Sequence, residues 1–146
     1  MGSEYQRLIP PERKDYCVCS VVQGILRRYD VNLSQREIAS RLTPAENGHV
    51  VDDDKLKNLF ESKGLEYNFF WNHETPFNEP DFVLNDMNEN SGIVGISSHL
   101  YLFDKFVDPD CYLIDPNNNE IVVKRIGELV KEMGSSGFFG VVKRQD

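Results

Sequence analysis

Apolar side chains recur at helical spacing through the first third of the chain and give way to strand-like runs after Asn90. Val18, Val21, Val22, Ile25, Leu26 and Tyr29 fall at i, i+3, i+4, i+7, i+8 and i+11, which predicts a helix over 17–29 with Arg27, Arg28 and Asp30 off its stripe. Ser34 with Glu37 three residues on is a capping box, and it opens a second helix whose apolar face is Ile38 and Leu42. Pro44 lies beyond its end. A third helix over 53–63 turns Leu56, Leu59 and Phe60 inward and stops at Gly64. The run Asp52-Asp53-Asp54 suits the positive end of that helix, and the remaining ligand spacing of a calcium loop is missing.

Residues 65–71 read as a strand, and 72–80 as a loop holding Pro76 and Pro80. A short helix is expected near 80–88. Strands follow over 92–96, 99–106, 111–114 and 120–124, with Asn117-Asn118-Asn119 as the turn between the last two. A helix over 126–133 and a strand over 138–142 close the order. Helices first and mostly antiparallel strands afterwards make an α+β fold. The length of 146 residues predicts one domain, 1–146, able to bury a single core.

Composition is that of a soluble globular chain, 40% apolar and 27% charged. The net charge of -8 repels phosphate, so neither nucleic acid nor an anionic membrane surface is an expected partner. No apolar run approaches a membrane span, and the first residues lack the apolar core of a signal peptide. Three cysteines, two of them two positions apart, do not form a disulfide framework, and a reducing, cytoplasmic setting is expected.

Cys17 opens the first helix, where the helix dipole favours thiolate. His99 begins an apolar strand, and Asp115-Pro116 ends a neighbouring one 16 residues later. Should residues 99–106 and 110–115 pair as a hairpin, Asp115 returns beside His99 and can orient its ring. That is the base-and-orienter pair a thiol nucleophile needs. Taken singly, His99 also reads as a surface or satisfied core histidine and Asp115 as a turn residue. Periodicity does not choose between Cys17 and Cys19, which flank the apolar stripe. Cys111 reads as packing, as do Phe69, Phe70 and a partly exposed Trp71, with a substrate groove as the other reading of these aromatics. A zinc site on Cys17, Cys19 and a histidine has no second cysteine pair to complete it. His49 and His73, in polar loops, read as surface residues.

The ordered set resembles the papain-like cysteine peptidases of the bacteriocin-processing, double-glycine-leader type. That family starts its first helix at Asp-Cys-Gly and closes it about 13 residues on; here Cys17 opens it and Leu26-Arg27-Arg28-Tyr29-Asp30 closes it. A Ser-capped helix, a loop around Gly48 and Ser62-Lys63-Gly64-Leu65 follow in family order, as do His99 and Asp115-Pro116, so the likeness spans roughly residues 9–142. The 13-residue spacing selects Cys17 over Cys19, which then reads as packing. The resemblance implies a papain-like fold, with N-terminal helices on a twisted antiparallel sheet. It also implies Cys17 as nucleophile, His99 as general base, Asp115 as orienting acid, a peptide or protein substrate, and neither cofactor nor metal.

Two positions depart from the family. Its second oxyanion donor is a glutamine about six residues before the cysteine, where this chain has Pro11-Glu12; Gln6 lies eleven residues upstream. Proline offers no N–H, an ionised Glu12 would repel an oxyanion, and losing one donor costs ~10²–10³ in kcat. Tyr16-Cys17-Val18 also stands in place of the family's Asp-Cys-Gly, so a β-branched residue crowds the thiol. A non-catalytic peptide-binding module with a degenerate site is therefore the alternative.

Overall fold

The computed structural model describes residues 8–45, 48–74, 79–97 and 99–145. After an irregular approach, α1 spans Cys17–Arg28 and α2 spans Gln35–Ser40. Ser34 Oγ accepts from the Glu37 N–H at 3.0 Å, the cap expected from the sequence. A short hairpin, β1 (Thr43–Ala45) and β2 (Gly48–Val50), leads to α3 (Asp53–Glu61). Asp52 Oδ1 caps α3 by accepting from the Asp54 and Lys55 N–H groups, and Gly64 at φ +77° turns the chain out of it.

Then come β3 (Leu65–Trp71), a 3-10 turn (Asn72–Glu74), α4 (Pro80–Glu89), β4 (Ser91–Ile96), β5 (His99–Val107), β6 (Asp110–Asp115), β7 (Glu120–Arg125), α5 (Ile126–Met133) and β8 (Phe138–Arg144). Strands β3 to β8 form one antiparallel sheet in the order β3-β8-β4-β5-β6-β7. The fold is α+β, as the sequence predicts.

Adjacent residues along a strand face opposite sides, and here both sides are covered. Ile93, Leu102, Ile114 and Val142 join α1, α2 and α3 in one core. Val94, Phe103, Leu113 and Val141 join α4 and α5 in a second. The molecule thus has three layers, one more than helices on a single sheet face. On α1, Val21, Val22, Ile25 and Leu26 are fully buried, and each contributes about 1.5–3 kcal/mol by burial. That packing fixes the helix, and with it the place of Cys17 at its first turn.

Two local features differ from the sequence expectation, and a third concerns Gln35, which the sequence left unassigned. The segment read as a loop around Gly48 is a hairpin too short to show alternation. Arg28, expected off the stripe, turns inward, and its Nη1 donates to Ser91 Oγ at 2.8 Å and to the Phe103 carbonyl at 2.6 Å. Gln35 is fully buried. Among the described residues no helix is long and apolar enough to cross a membrane.

Candidate active site

The β5–β6 hairpin does what the spacing predicts. Leu102 pairs with Ile114 and Val107 with Asp110, so the end of β6 lies beside the start of β5. His99 Nε2 and Asp115 Oδ1 are 2.9 Å apart, with side chains 26% and 17% exposed. The ring is therefore held at one nitrogen by a carboxylate shielded from most solvent screening. Tyr101 packs edge-on against it, with ring centroids 4.5 Å apart at 84°. The same Asp115 Oδ1 accepts from the Asn117 N–H at 2.9 Å, which fixes the carboxylate.

Cys17 is the first residue of α1, after Tyr16, whose side chain makes no capping hydrogen bond. Its thiol donates to Asn117 Oδ1 at 3.2 Å and lies 3.8 Å from the Lys14 carbonyl. Cys17 and His99 meet across a hollow of about 290 Å³ that both line, together with His49. An adjoining hollow of about 290 Å³ shares Val18, His49, His99 and Leu100 and extends to Gly95 and Phe138. It is mostly apolar, the character of a side-chain pocket rather than a charged-ligand site.

The thiolate expectation is corrected here. Burial first, and the negative charge of Asp115 second, push the Cys17 thiol up from its ordinary value. Both act against the helix-end effect, and the group serves as a thiol donor to Asn117 Oδ1. Cys19 and Cys111 are fully buried, and burial pushes each thiol up to about 12; at Cys19 the Asp15 charge adds to this. They pack, as expected. All three cysteines are free.

His49 corrects a second expectation. It is half-buried rather than on the surface, because β2 folds over the start of α1. Its Nδ1 lies 2.9 Å from the Asp15 carbonyl, which accepts from it, and 3.8 Å from Cys19 Sγ. The ring tilts against Tyr16 at 5.8 Å. Donation from Nδ1 leaves Nε2 as an acceptor in a residue that lines both hollows. No local pattern in 43–50 marks it, because strands of three residues are too short to alternate. His73 is exposed, 3.6 Å from Glu74.

Trp71 is 41% exposed and stands edge-on to Phe69, which stacks on Phe138 at 4.9 Å. The cluster is core at one end and, through Phe138, pocket wall at the other. Pro11 and Glu12 occupy the family's glutamine region, and the Glu12 N–H donates to Gln35 Oε1 at 2.8 Å. Gln6 lies outside the described residues. Among the described residues no group of three or more His, Cys, Asp or Glu side chains could hold a metal ion.

No family model and no curated protein sequence matches the chain. Solved structures do. The peptidase domain of Streptococcus ComA, a bifunctional ABC transporter involved in a quorum-sensing pathway, matches with a TM-score of 0.72 at 14% identity, over 96% of this chain and 99% of that one. A double-glycine-motif protease from an AMS/PCAT transporter, solved in complex with the leader peptide, matches with a TM-score of 0.68 at 12% identity, over 94% of this chain and 91% of that one. The chain has the papain-like fold of these double-glycine peptidase domains.

Proposed function

We propose that this protein is a cysteine peptidase or a related thiol amide hydrolase, with Cys17 as nucleophile, His99 as general base and Asp115 as the acid that orients the base. The observation that carries the reading is the 2.9 Å His99–Asp115 pair facing the hollow that Cys17 lines. With Nε2 engaged by Asp115, the other ring nitrogen, Nδ1, is the one free to take a proton. A thiol that rests protonated needs such a base.

In the acylation step the Cys17 sulfur bonds to the carbonyl carbon, the carbonyl π pair moves onto oxygen, and the thiol proton passes to His99 Nδ1. Collapse breaks the C–N bond, and the amine leaves with the proton from His99. Water then hydrolyses the thioester, with the same nitrogen as base and then acid. The substrate we assign is a peptide: one fold relative was solved with a leader peptide, and the apolar hollow beside Cys17 suits a peptide side chain or a close-packed backbone. A reducing, cytoplasmic setting fits the three free thiols.

The competing reading is a non-catalytic peptide-binding module. The raised Cys17 thiol and the missing glutamine favour it. One experiment separates the two: cleavage of a double-glycine leader peptide, with iodoacetamide alkylation followed against pH. The peptidase reading expects cleavage that Cys17→Ala and His99→Ala both abolish. It is overturned if Cys17 alkylates no faster than a free thiol and His99→Ala changes nothing. Tight peptide binding without turnover, unchanged in Cys17→Ala, establishes the binding module.

A further inference from the structure

We propose that Asn117 is a catalytic residue of this site, its side-chain amide supplying the second oxyanion donor that the chain lacks at Pro11. The inference rests on the peptidase reading above and adds a residue to it.

Asn117 touches the reacting atom: its Oδ1 is 3.2 Å from Cys17 Sγ. The oxyanion formed on attack is two bonds from that sulfur, so an amide in contact with the sulfur is within reach of it. An asparagine amide carries an acceptor and a donor at nearly interchangeable positions. Before attack, Oδ1 accepts the S–H. Once that proton has gone to His99, a half-turn about the last side-chain bond aims Nδ2–H at the developing negative charge. The other donor is the Cys17 N–H, which as the first N–H of a helix has no intrahelical partner.

The loop that carries Asn117 is held from both ends. The Asn117 N–H donates to Asp115 Oδ1 at 2.9 Å, and the Asn119 N–H to the Asp115 carbonyl at 2.8 Å. Asn118 Oδ1 accepts from the Glu120 N–H at 3.0 Å. Asn119, at φ +58°, pairs its side chain with the backbone of Leu8, accepting from the N–H at 3.0 Å and donating to the carbonyl at 3.1 Å. This last pair presses the loop against the N-terminal segment, three residues before Pro11. Asn117 therefore reaches the sulfur from a loop tied to the segment that leads to Pro11. The three consecutive asparagines do different work: one faces the thiol, one closes the turn and one ties the turn to the chain's first described residue.

Two reagents that meet the same thiol separate this role from a general effect on Cys17. Acylation by 4-nitrophenyl acetate passes through a tetrahedral oxyanion, whereas alkylation by iodoacetamide displaces iodide at a saturated carbon and forms none. Any change in thiolate supply cancels in the ratio of the two rates. In Asn117→Ala the acylation-to-alkylation ratio is expected to fall about 10²-fold or more, the usual effect of losing an oxyanion donor. Asn117→Asp fills the same volume without the donor, and the ratio is expected to fall at least as far. Asn117's bond to Asp115 uses the main chain, so both variants keep the turn. A ratio within threefold of the wild type in both variants, on a thiol that is fast and His99-dependent, overturns the inference and leaves the peptidase reading standing. A wild-type thiol no faster than a free one, and unaffected by His99→Ala, overturns both.

Discussion

Replacing Gln35 with alanine is expected to loosen the segment that leads into the site, at a cost that the hydrogen bonds set. Gln35 sits at the first position of α2 and is fully buried. Its Oε1 accepts from the Glu12 N–H at 2.8 Å, and its Nε2 donates to the carbonyls of Ile9 and Pro10 and to Gln23 Oε1 at 3.0–3.2 Å. The Ile9 carbonyl keeps a donor in Ser20 Oγ at 2.6 Å, and Gln23 Nε2 keeps the Leu33 carbonyl at 3.0 Å. Alanine thus strands the Glu12 N–H, the Pro10 carbonyl and Gln23 Oε1. Three net hydrogen bonds at about 1 kcal/mol each, plus the extra cost of leaving Gln23 Oε1 dry, come to about 4 kcal/mol. For a chain of 146 residues that lowers Tm by roughly 8–16 °C. Equilibrium urea denaturation measures the loss, and amide hydrogen exchange at Glu12 reports where it falls. A loss under ~1 kcal/mol with Glu12 protection unchanged would show that solvent replaces these partners without cost, contrary to the argument.

Three other perturbations test separate links. On the proposed peptidase reading, Asp115→Asn keeps an oxygen for the Asn117 N–H but removes the charge that would steady a His99 imidazolium, so peptide turnover should fall by about 10⁴ with Tm little changed; turnover within tenfold of wild type removes Asp115 from the proposed mechanism. A methyl on Gly95 would stand 2.2 Å from Phe138 Cε1. Gly95→Ala should therefore displace that ring from its stack on Phe69, at about 1–3 kcal/mol, and alter the apolar hollow. In a double-mutant cycle Phe138→Ala should absorb most of this cost, and strict additivity would refute the clash. Burial holds the Cys111 thiol at about 12, above its unfolded value near 8.5. The folded state keeps a proton that the unfolded state has released, so this contribution to stability is complete below about pH 8.5 and is lost as pH rises toward 12. Cys111→Ala should reduce the alkaline slope of unfolding free energy by about 1.4 kcal/mol per pH unit between roughly pH 9 and 11, read from urea midpoints; an unaltered slope contradicts the burial argument.

The parts of the fold written in repeating patterns were legible. The stripe from Val18 to Tyr29, the Ser34 cap and the Gly64 stop each act over a few residues, and each stands where the sequence places it. The His99–Asp115 pair was legible because one hairpin register fixes both ends. Periodicity assumes that polar means exposed, and there it fails. Gln35 and Gln23 are buried because they bond to each other and to backbone, and Arg28 is drawn inward by acceptors on β4 and β5, partners 63 and 75 residues away. His49 was hidden for a related reason: a three-residue strand is too short to alternate, so nothing local marked it as a wall of the cleft. Helix-end position alone misjudged the Cys17 thiol, because burial and Asp115 come from the tertiary structure.

The long-range contacts that sequence could not supply are also the ones that assemble the site. Cys17 is fixed by the packing of α1, and His99 and Asp115 by one hairpin. What joins these two rigid parts at the front of the cleft is polar. Gln35 holds the backbone at residues 9, 10 and 12, Asn119 clamps Leu8 to the β6–β7 turn, and Asn117 of that turn meets the thiol. Apolar packing would tolerate a shift of several tenths of an ångström between the parts, whereas hydrogen bonds weaken steeply with misalignment. A nucleophile and its base need that directional control, because reacting atoms misplaced by about 1 Å can cost 10²-fold in rate. The bonds that Gln35 and Asn119 make to the backbone on either side of Pro11 supply that control.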